Sequence, residues 1–226
     1  MEMPFSFLSL EGLPFVIITL IIAFSVHEFS HAYVAYKFGD PTAKNQGRLT
    51  LSPLKHLDPV GSIMLILLGF GWAKPVPVNR FFFKNPRLAG VLVSVAGPLS
   101  NLVLAFLGFI LMFIFIRIGI FSMIPSNVAD SLEMFFGYFI RINISLFVFN
   151  LLPFPPLDGY RIMEDLAPPK VRARLTQYEH YGIIIFLILV ITPLDAYTIT
   201  PIFQTVIPFV ESVLSTMTAP ILEIGS

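Results

Sequence analysis

Three long apolar runs and two shorter ones, separated by polar, proline-rich stretches, set the plan of this chain. The first is apolar over residues 13–26 and continues with helical periodicity through His27, Glu28 and His31 to about Phe38, which predicts a first membrane-spanning helix. It lacks the basic start and small-residue end of a cleaved signal peptide. Over residues 37–87 the character changes to eight Lys/Arg and many prolines around an apolar island at 60–72. That island is too short for a helical crossing, which takes about 20 residues, and Gly69 and Gly71 argue against helix; a re-entrant segment over 60–78 is expected. The run at 88–116 is interrupted by Gly97 and Pro98 and, at about 1.5 Å per residue, exceeds the hydrocarbon thickness, so it reads as one tilted or kinked span.

A third span is predicted from about 134 to 152, containing Arg141, Asn143 and Asn150. It breaks at Pro153, Pro155 and Pro156, and Asp158-Gly159 follows as a turn signal. A polar, basic stretch at 160–180 leads to the two shorter runs, 181–193 and 199–214. The fold expected is therefore an all-α polytopic membrane protein of about five transmembrane helices, with a re-entrant, β-like loop after the first. It is expected to form a single domain over 1–226 with its core motifs at 13–163 and apolar C-terminal segments at 181–214.

Composition agrees with the pattern: 56% of the 226 residues are hydrophobic and 12% charged, where soluble chains carry about a quarter charged residues. The lipid bilayer is the implied solvent. Fourteen Lys/Arg against 14 Asp/Glu leave no basic excess for a nucleic acid partner. With no cysteine, a metal site has to be built from His and carboxylates. Basic residues cluster in 37–87 and 161–174 and are absent from 1–12 and 122–133, so the positive-inside rule places the first two stretches in the cytoplasm and the N-terminus outside. The reading is an integral protein of a prokaryotic cell membrane with its chemistry facing the cytoplasm.

That chemistry is carried first by His27-Glu28-Phe29-Ser30-His31, an H-E-x-x-H pattern inside a predicted helix. Positions i and i+4 share a helix face, so both imidazoles can bind one zinc ion with Glu28 beside them as general base. Ionisable groups within a span are costly, which favours a functional reading over incidental interhelical histidines. A catalytic zinc site needs a third protein ligand. His56 and His180 lie in polar, basic stretches and read as solvated loop residues, whereas Asp158 follows the proline break at a level matching the H-E-x-x-H helix.

The H-E-x-x-H helix together with Phe149-Asn150-Leu151-Leu152-Pro153-Phe154-Pro155-Pro156-Leu157-Asp158-Gly159 resembles the two signature motifs of the site-2 protease family, the zinc intramembrane metalloproteases. Gly97-Pro98-Leu99-Ser100-Asn101 is similar to the family's glycine–proline–asparagine motif, and the stretch from Phe70 to Val78 to its segment after the re-entrant loop. The resemblance implies one zinc ion held by His27, His31 and Asp158, with Glu28 as general base and Asn150 either as donor to the substrate carbonyl or as an interhelical hydrogen-bonding residue. It implies a transmembrane protein or peptide as substrate. Gly71, Trp72, Lys74 and Val76 are the candidates for holding that substrate extended, by strand addition, with a membrane-surface anchor as the competing role. Asn101 joins the substrate-binding candidates, with helix packing or a hydrogen bond behind a ligand as its other role. No inserted peptide-binding module and no C-terminal regulatory domain is expected. The alternative function is a membrane metal-ion carrier using His27, His31 and Asp158 as its transport site; the sequence shows no paired halves of the kind many carriers have.

Overall fold

The computed structural model describes residues 11–59, 61 and 73–220. Among these, six helices of eight residues or more carry the architecture: α1 (Leu13–Lys37), α2 (Pro86–Arg117), α3 (Ser126–Asn150), α4 (Asp158–Leu166), α5 (Pro169–Ile191) and α6 (Thr200–Thr218). Their starts follow local chemistry. Pro14, Pro86, Pro169 and Pro201 sit in first turns, where a missing N–H costs nothing, and the Asn85 side chain accepts from the Leu88 N–H at 3.3 Å to cap α2.

α2 is the central helix, packed against α1, α3 and α4. One of its faces is a stripe of small or compact residues, Gly90, Ser94, Gly97, Asn101, Ala105 and Gly108, spaced three or four apart and all buried. Without a hydrophobic force to press helices together in lipid, such a stripe lets backbones approach closely. Each glycine meets a different neighbour: Gly90 faces Asp165 of α4, Gly97 faces His27 and His31 of α1, and Gly108 faces Phe139 and Ile140 of α3. On the opposite face, Leu99, Val103, Leu107 and Leu111 are each 46–49% exposed, a row of large apolar side chains that water would not tolerate and lipid would.

The core lies where α2, α3, α5 and α6 meet, around Ala105, Ile144, Val148, Phe186, Phe203 and Ile207. A second apolar cluster of Leu20, Ala23, Ile142 and Leu146 joins α1 to α3.

Among the described residues, three helices, α1, α2 and α3, are long and apolar enough to cross a membrane. The two C-terminal apolar segments are helical but differ in extent from expectation. The basic stretch after Pro169 and the apolar run after Tyr181 form one continuous helix, α5. The acids Asp130 and Glu133, expected in a connector, lie within α3, which begins at Ser126. Pro98 is accommodated inside α2 without ending it, and Ser100 Oγ donates to the Gly97 carbonyl one turn back at 2.6 Å.

Most of the expected re-entrant segment, including Gly71 and Trp72, lies outside the described residues. On either side of the stretch that is not described, Leu57 and Ala73 form an antiparallel bridge, and the Lys74 N–H donates to the His56 carbonyl at 2.8 Å. The chain then runs without regular structure from Lys74 to Asn79.

Candidate metal centre

His27 and His31 lie one turn apart on α1, both buried, with imidazole centroids 4.6 Å apart. α4 brings the third group. Its first residue, Asp158, places Oδ2 3.1 Å from His27 Nε2 and 3.3 Å from His31 Nε2, and the two Nε2 atoms are 3.0 Å apart. The residue after it explains the close docking. A Cβ on Gly159 would run into the backbone of Leu151 and come within 2.6 Å of the Leu152 carbonyl oxygen at the end of α3, so only glycine lets α4 start there. The Asp-Gly pair thus begins a helix packed on the end of α3, where a free turn was expected.

The donor set fits a cation on its own geometry. His31 Nδ1 lies 2.7 Å from the Val93 carbonyl oxygen, which can only accept, so in the neutral ring that nitrogen carries the proton and Nε2 presents a lone pair. His27 Nδ1 lies 2.7 Å from Asn101 Oδ1, with the same consequence. Asp158 Oδ2 is buried and makes no hydrogen bond. With both rings in that neutral form, three lone-pair atoms converge within 4.8 Å of one another. Such an arrangement is repulsive until a positive charge enters it.

Glu28, also buried, points elsewhere: its Oε2 accepts from the Val76 N–H at 2.8 Å. The extended strip carrying Val76 is itself pinned. Arg48 Nη2 donates to the Lys74 carbonyl at 2.5 Å, and the Asn79 N–H donates to Asp40 Oδ2 at 2.6 Å. Pro75 and Pro77 have no N–H, and the N–H groups of Lys74 and Val76 are already used by His56 and Glu28. The strip therefore offers few free backbone donors for strand addition.

A cavity of about 1040 Å³ opens beside these groups. His27, Glu28, His31, Asp158, Asn150, Val76 and Asn101 all border it, so seven predicted site residues meet in one place. Asn150 donates from Nδ2 to the Leu146 carbonyl at 2.9 Å, and Asn101 is fully buried behind His27. Lys74 has an exposed side chain and does not border the cavity. His180 is solvent-exposed as expected, but it lies within helix α5 where a loop was expected. His56, expected as a solvated loop residue, is instead fully buried: it ends a short helix, Pro53–His56, that packs on α1, and its Nε2 lies 2.7 Å from the Thr50 carbonyl oxygen.

Sequence reasoning passed over several residues. At one border of the cavity, the buried carboxylate of Asp165 pairs with Arg80 and with Arg172 at 3.2 Å, while Arg161 reaches Glu179 at 2.5 Å and Glu164 at 3.2 Å. These pairs tie the strip before α2 and the start of α5 to α4, the helix bearing Asp158. Burial alone would push the Glu164 carboxyl up, but the Thr176 hydroxyl and the Arg161 guanidinium bound to it hold it below its ordinary value.

Apolar helices of membrane length around a buried cluster of His27, His31 and Asp158 that could hold one metal ion mark a membrane protein with a candidate metal centre. Comparison with known proteins gives the family. The profile of peptidase family M50 matches residues 15–127 and 116–192. The chain is 57% identical over 200 residues to a Bacillus subtilis protein named "Putative zinc metalloprotease YwhC", covering 88% of this chain and 90% of that one. It is 34% identical over 180 residues to "Putative zinc metalloprotease Rip2" of Mycolicibacterium smegmatis, covering 76% of this chain and 65% of that protein. It is also 32% identical over 164 residues to "Putative zinc metalloprotease MJ0611" of Methanocaldococcus jannaschii, covering 71% and 75%. No solved structure matches. The chain belongs to peptidase family M50, the site-2 protease family of metalloproteases.

Proposed function

We propose that this protein is a zinc-dependent intramembrane endopeptidase that hydrolyses transmembrane segments of single-span membrane proteins near the cytoplasmic face, releasing a signalling fragment or clearing signal-peptide remnants. The observation that carries the reading is the convergence of His27 Nε2, His31 Nε2 and Asp158 Oδ2, with Glu28 on the same cavity, among helices of membrane length. His27, His31 and Asp158 would hold one zinc ion. Bound there, zinc would supply Lewis acidity toward a carbonyl oxygen and make water more acidic near it.

The chain's own groups do the rest. Glu28 accepts the proton of the attacking water and delivers it to the leaving amine, and the hydrogen bond from the Val76 N–H keeps one of its oxygens fixed while the other works. Asn150, at the cavity wall, donates its amide to the developing oxyanion. The apolar wall of Val16, Leu20, Phe24, Ile142 and Leu146 receives the substrate's side chains. In this reading α5 and α6 complete a set of five spans, and the basic residues of 37–87 and 161–174 mark the cytoplasmic side, with the N-terminus outside.

Replacing Glu28→Gln tests the reading. Zinc content is expected to be retained while cleavage of a model transmembrane substrate in detergent or vesicles falls by about 10²–10⁴-fold, the usual contribution of a general base. Undiminished cleavage would overturn the assignment, and zinc flux across vesicles that survives the substitution would favour a carrier.

A further inference from the structure

The tautomer of His27 is controlled from outside the metal cluster. An asparagine amide is ambiguous as a neighbour: its oxygen would hold the proton on His27 Nδ1, but its nitrogen, turned to the same place, would donate to Nδ1 and drive the proton to Nε2. In the second case the lone pair needed by a metal is lost. What decides between them is whatever fixes the orientation of Asn101.

Asn101 on α2 donates from Nδ2 to Asn143 Oδ1 on α3 at 3.1 Å, and more weakly to the Ala23 carbonyl at 3.4 Å. Asn143 is in turn oriented by its own Nδ2, which donates to the Phe139 carbonyl at 2.8 Å. A backbone carbonyl can only accept. The chain of bonds therefore has one polarity: the Phe139 carbonyl fixes Asn143, Asn143 fixes Asn101, and Asn101 oxygen faces His27 Nδ1 at 2.7 Å. Both asparagines are fully buried, so water cannot substitute for either partner.

We propose that Asn143 is a positioning residue for the metal centre, acting through Asn101 to hold His27 in the tautomer whose Nε2 is free to bind a cation. This inference rests on the zinc reading of the site. Three helices contribute to the relay, α3, α2 and α1, and their packing registers the metal site. His31 needs no such relay, because the Val93 carbonyl sets its tautomer directly.

The test uses the purified full chain in detergent. Imidazole ¹⁵N NMR of zinc-free protein reads the two tautomers, and competition with a chelator reads zinc affinity. Asn143→Leu should weaken zinc binding about tenfold, at the low end of the ten- to hundredfold range for groups behind metal ligands because the Ala23 carbonyl still assists. It should give mixed tautomers at His27 while His31 stays protonated at Nδ1. In the N101D background either carboxylate oxygen accepts from His27, so adding Asn143→Leu should cost no further affinity. If the leucine variant does not fold, Asn143→Ala serves in its place.

The proposal is overturned if His27 keeps a single tautomer and zinc affinity stays within twofold, if both histidines change together, or if the N101D background shows the same further loss. Failure of the wild-type protein to bind zinc at all would instead sink the proposed function. The two failures are therefore distinguishable.

Discussion

Gly97→Ala is the substitution whose effect follows most directly from the packing of α2 on α1. A Cβ at position 97 would lie 2.6 Å from His27 Nε2 and against the His31 imidazole, where ordinary contact begins at 3.4 Å. The imidazoles or the helix must therefore retreat by at least about 0.8 Å at His27, and by more at His31, whose Nε2 lies nearer still. Metal–ligand distances tolerate only about 0.2 Å, so the retreat is absorbed at the expense of metal binding. Overpacking of this kind costs about 1–3 kcal/mol. If that strain is relieved by moving the imidazoles, zinc affinity falls by about five- to a hundredfold, taking 1.4 kcal/mol per factor of ten. Helix formation itself is helped, since alanine is favoured over glycine by about 1 kcal/mol in a helix interior. The assay is zinc stoichiometry after dialysis against a graded chelator series, alongside circular dichroism. Gly108→Ala is the control: its Cβ would press on Ile140 at 2.9 Å, a milder clash in the same helix away from the metal cluster, and should leave zinc affinity unchanged. Gly97→Ala holding zinc as tightly as the control would refute the reasoning, because the packing of glycine against the imidazoles would then have no bearing on the metal.

Two further outcomes are expected. Asp158→Ala should lower bound zinc at a given chelator concentration while leaving the helices intact, and a purified variant with full stoichiometry and activity would remove Asp158 from the ligand set. Glu164 is held below its ordinary value, so its folded-state contribution is fully present above the unfolded value of about 4.3 and is lost as pH falls through the lower, folded value. Wild type should therefore melt above Glu164→Gln at neutral pH, with the gap closing below about pH 4; a gap that persists unchanged on acidification would show that the Arg161 and Thr176 contacts carry no linked stability.

The parts of this structure that were legible in the sequence are those governed by period or by chain-breaking residues. The i, i+4 spacing of His27 and His31 fixes their common face as soon as the helix is granted, and Pro153, Pro155 and Pro156 end α3 where a break was expected. The stripe from Gly90 to Gly108 was also present as a spacing of small residues, but which neighbour each glycine admits depends on three helices at once. The burial of His56 was not legible, because it depends on the packing of the short helix Pro53–His56 on α1, which no periodic signal in that stretch announces. The ionic ties of Asp165 to Arg80 and Arg172 were hidden for a similar reason: local composition reads 161–174 as a solvated basic stretch, and only the docking of α4 on α2 buries the carboxylate.

Asn143 is the sharpest instance of what spacing cannot carry. An asparagine within a membrane-length helix signals an interhelical hydrogen bond, and nothing in the flanking residues says to what. Its meaning comes from two polarities laid end to end, a backbone carbonyl that cannot donate and an imidazole that must not be protonated at Nε2 if it is to bind a metal. Local sequence points to the candidate ligands because they share one helix face or follow one proline break. The protonation pattern that makes them usable is specified by the assembled helices, and there the structure adds to the motif.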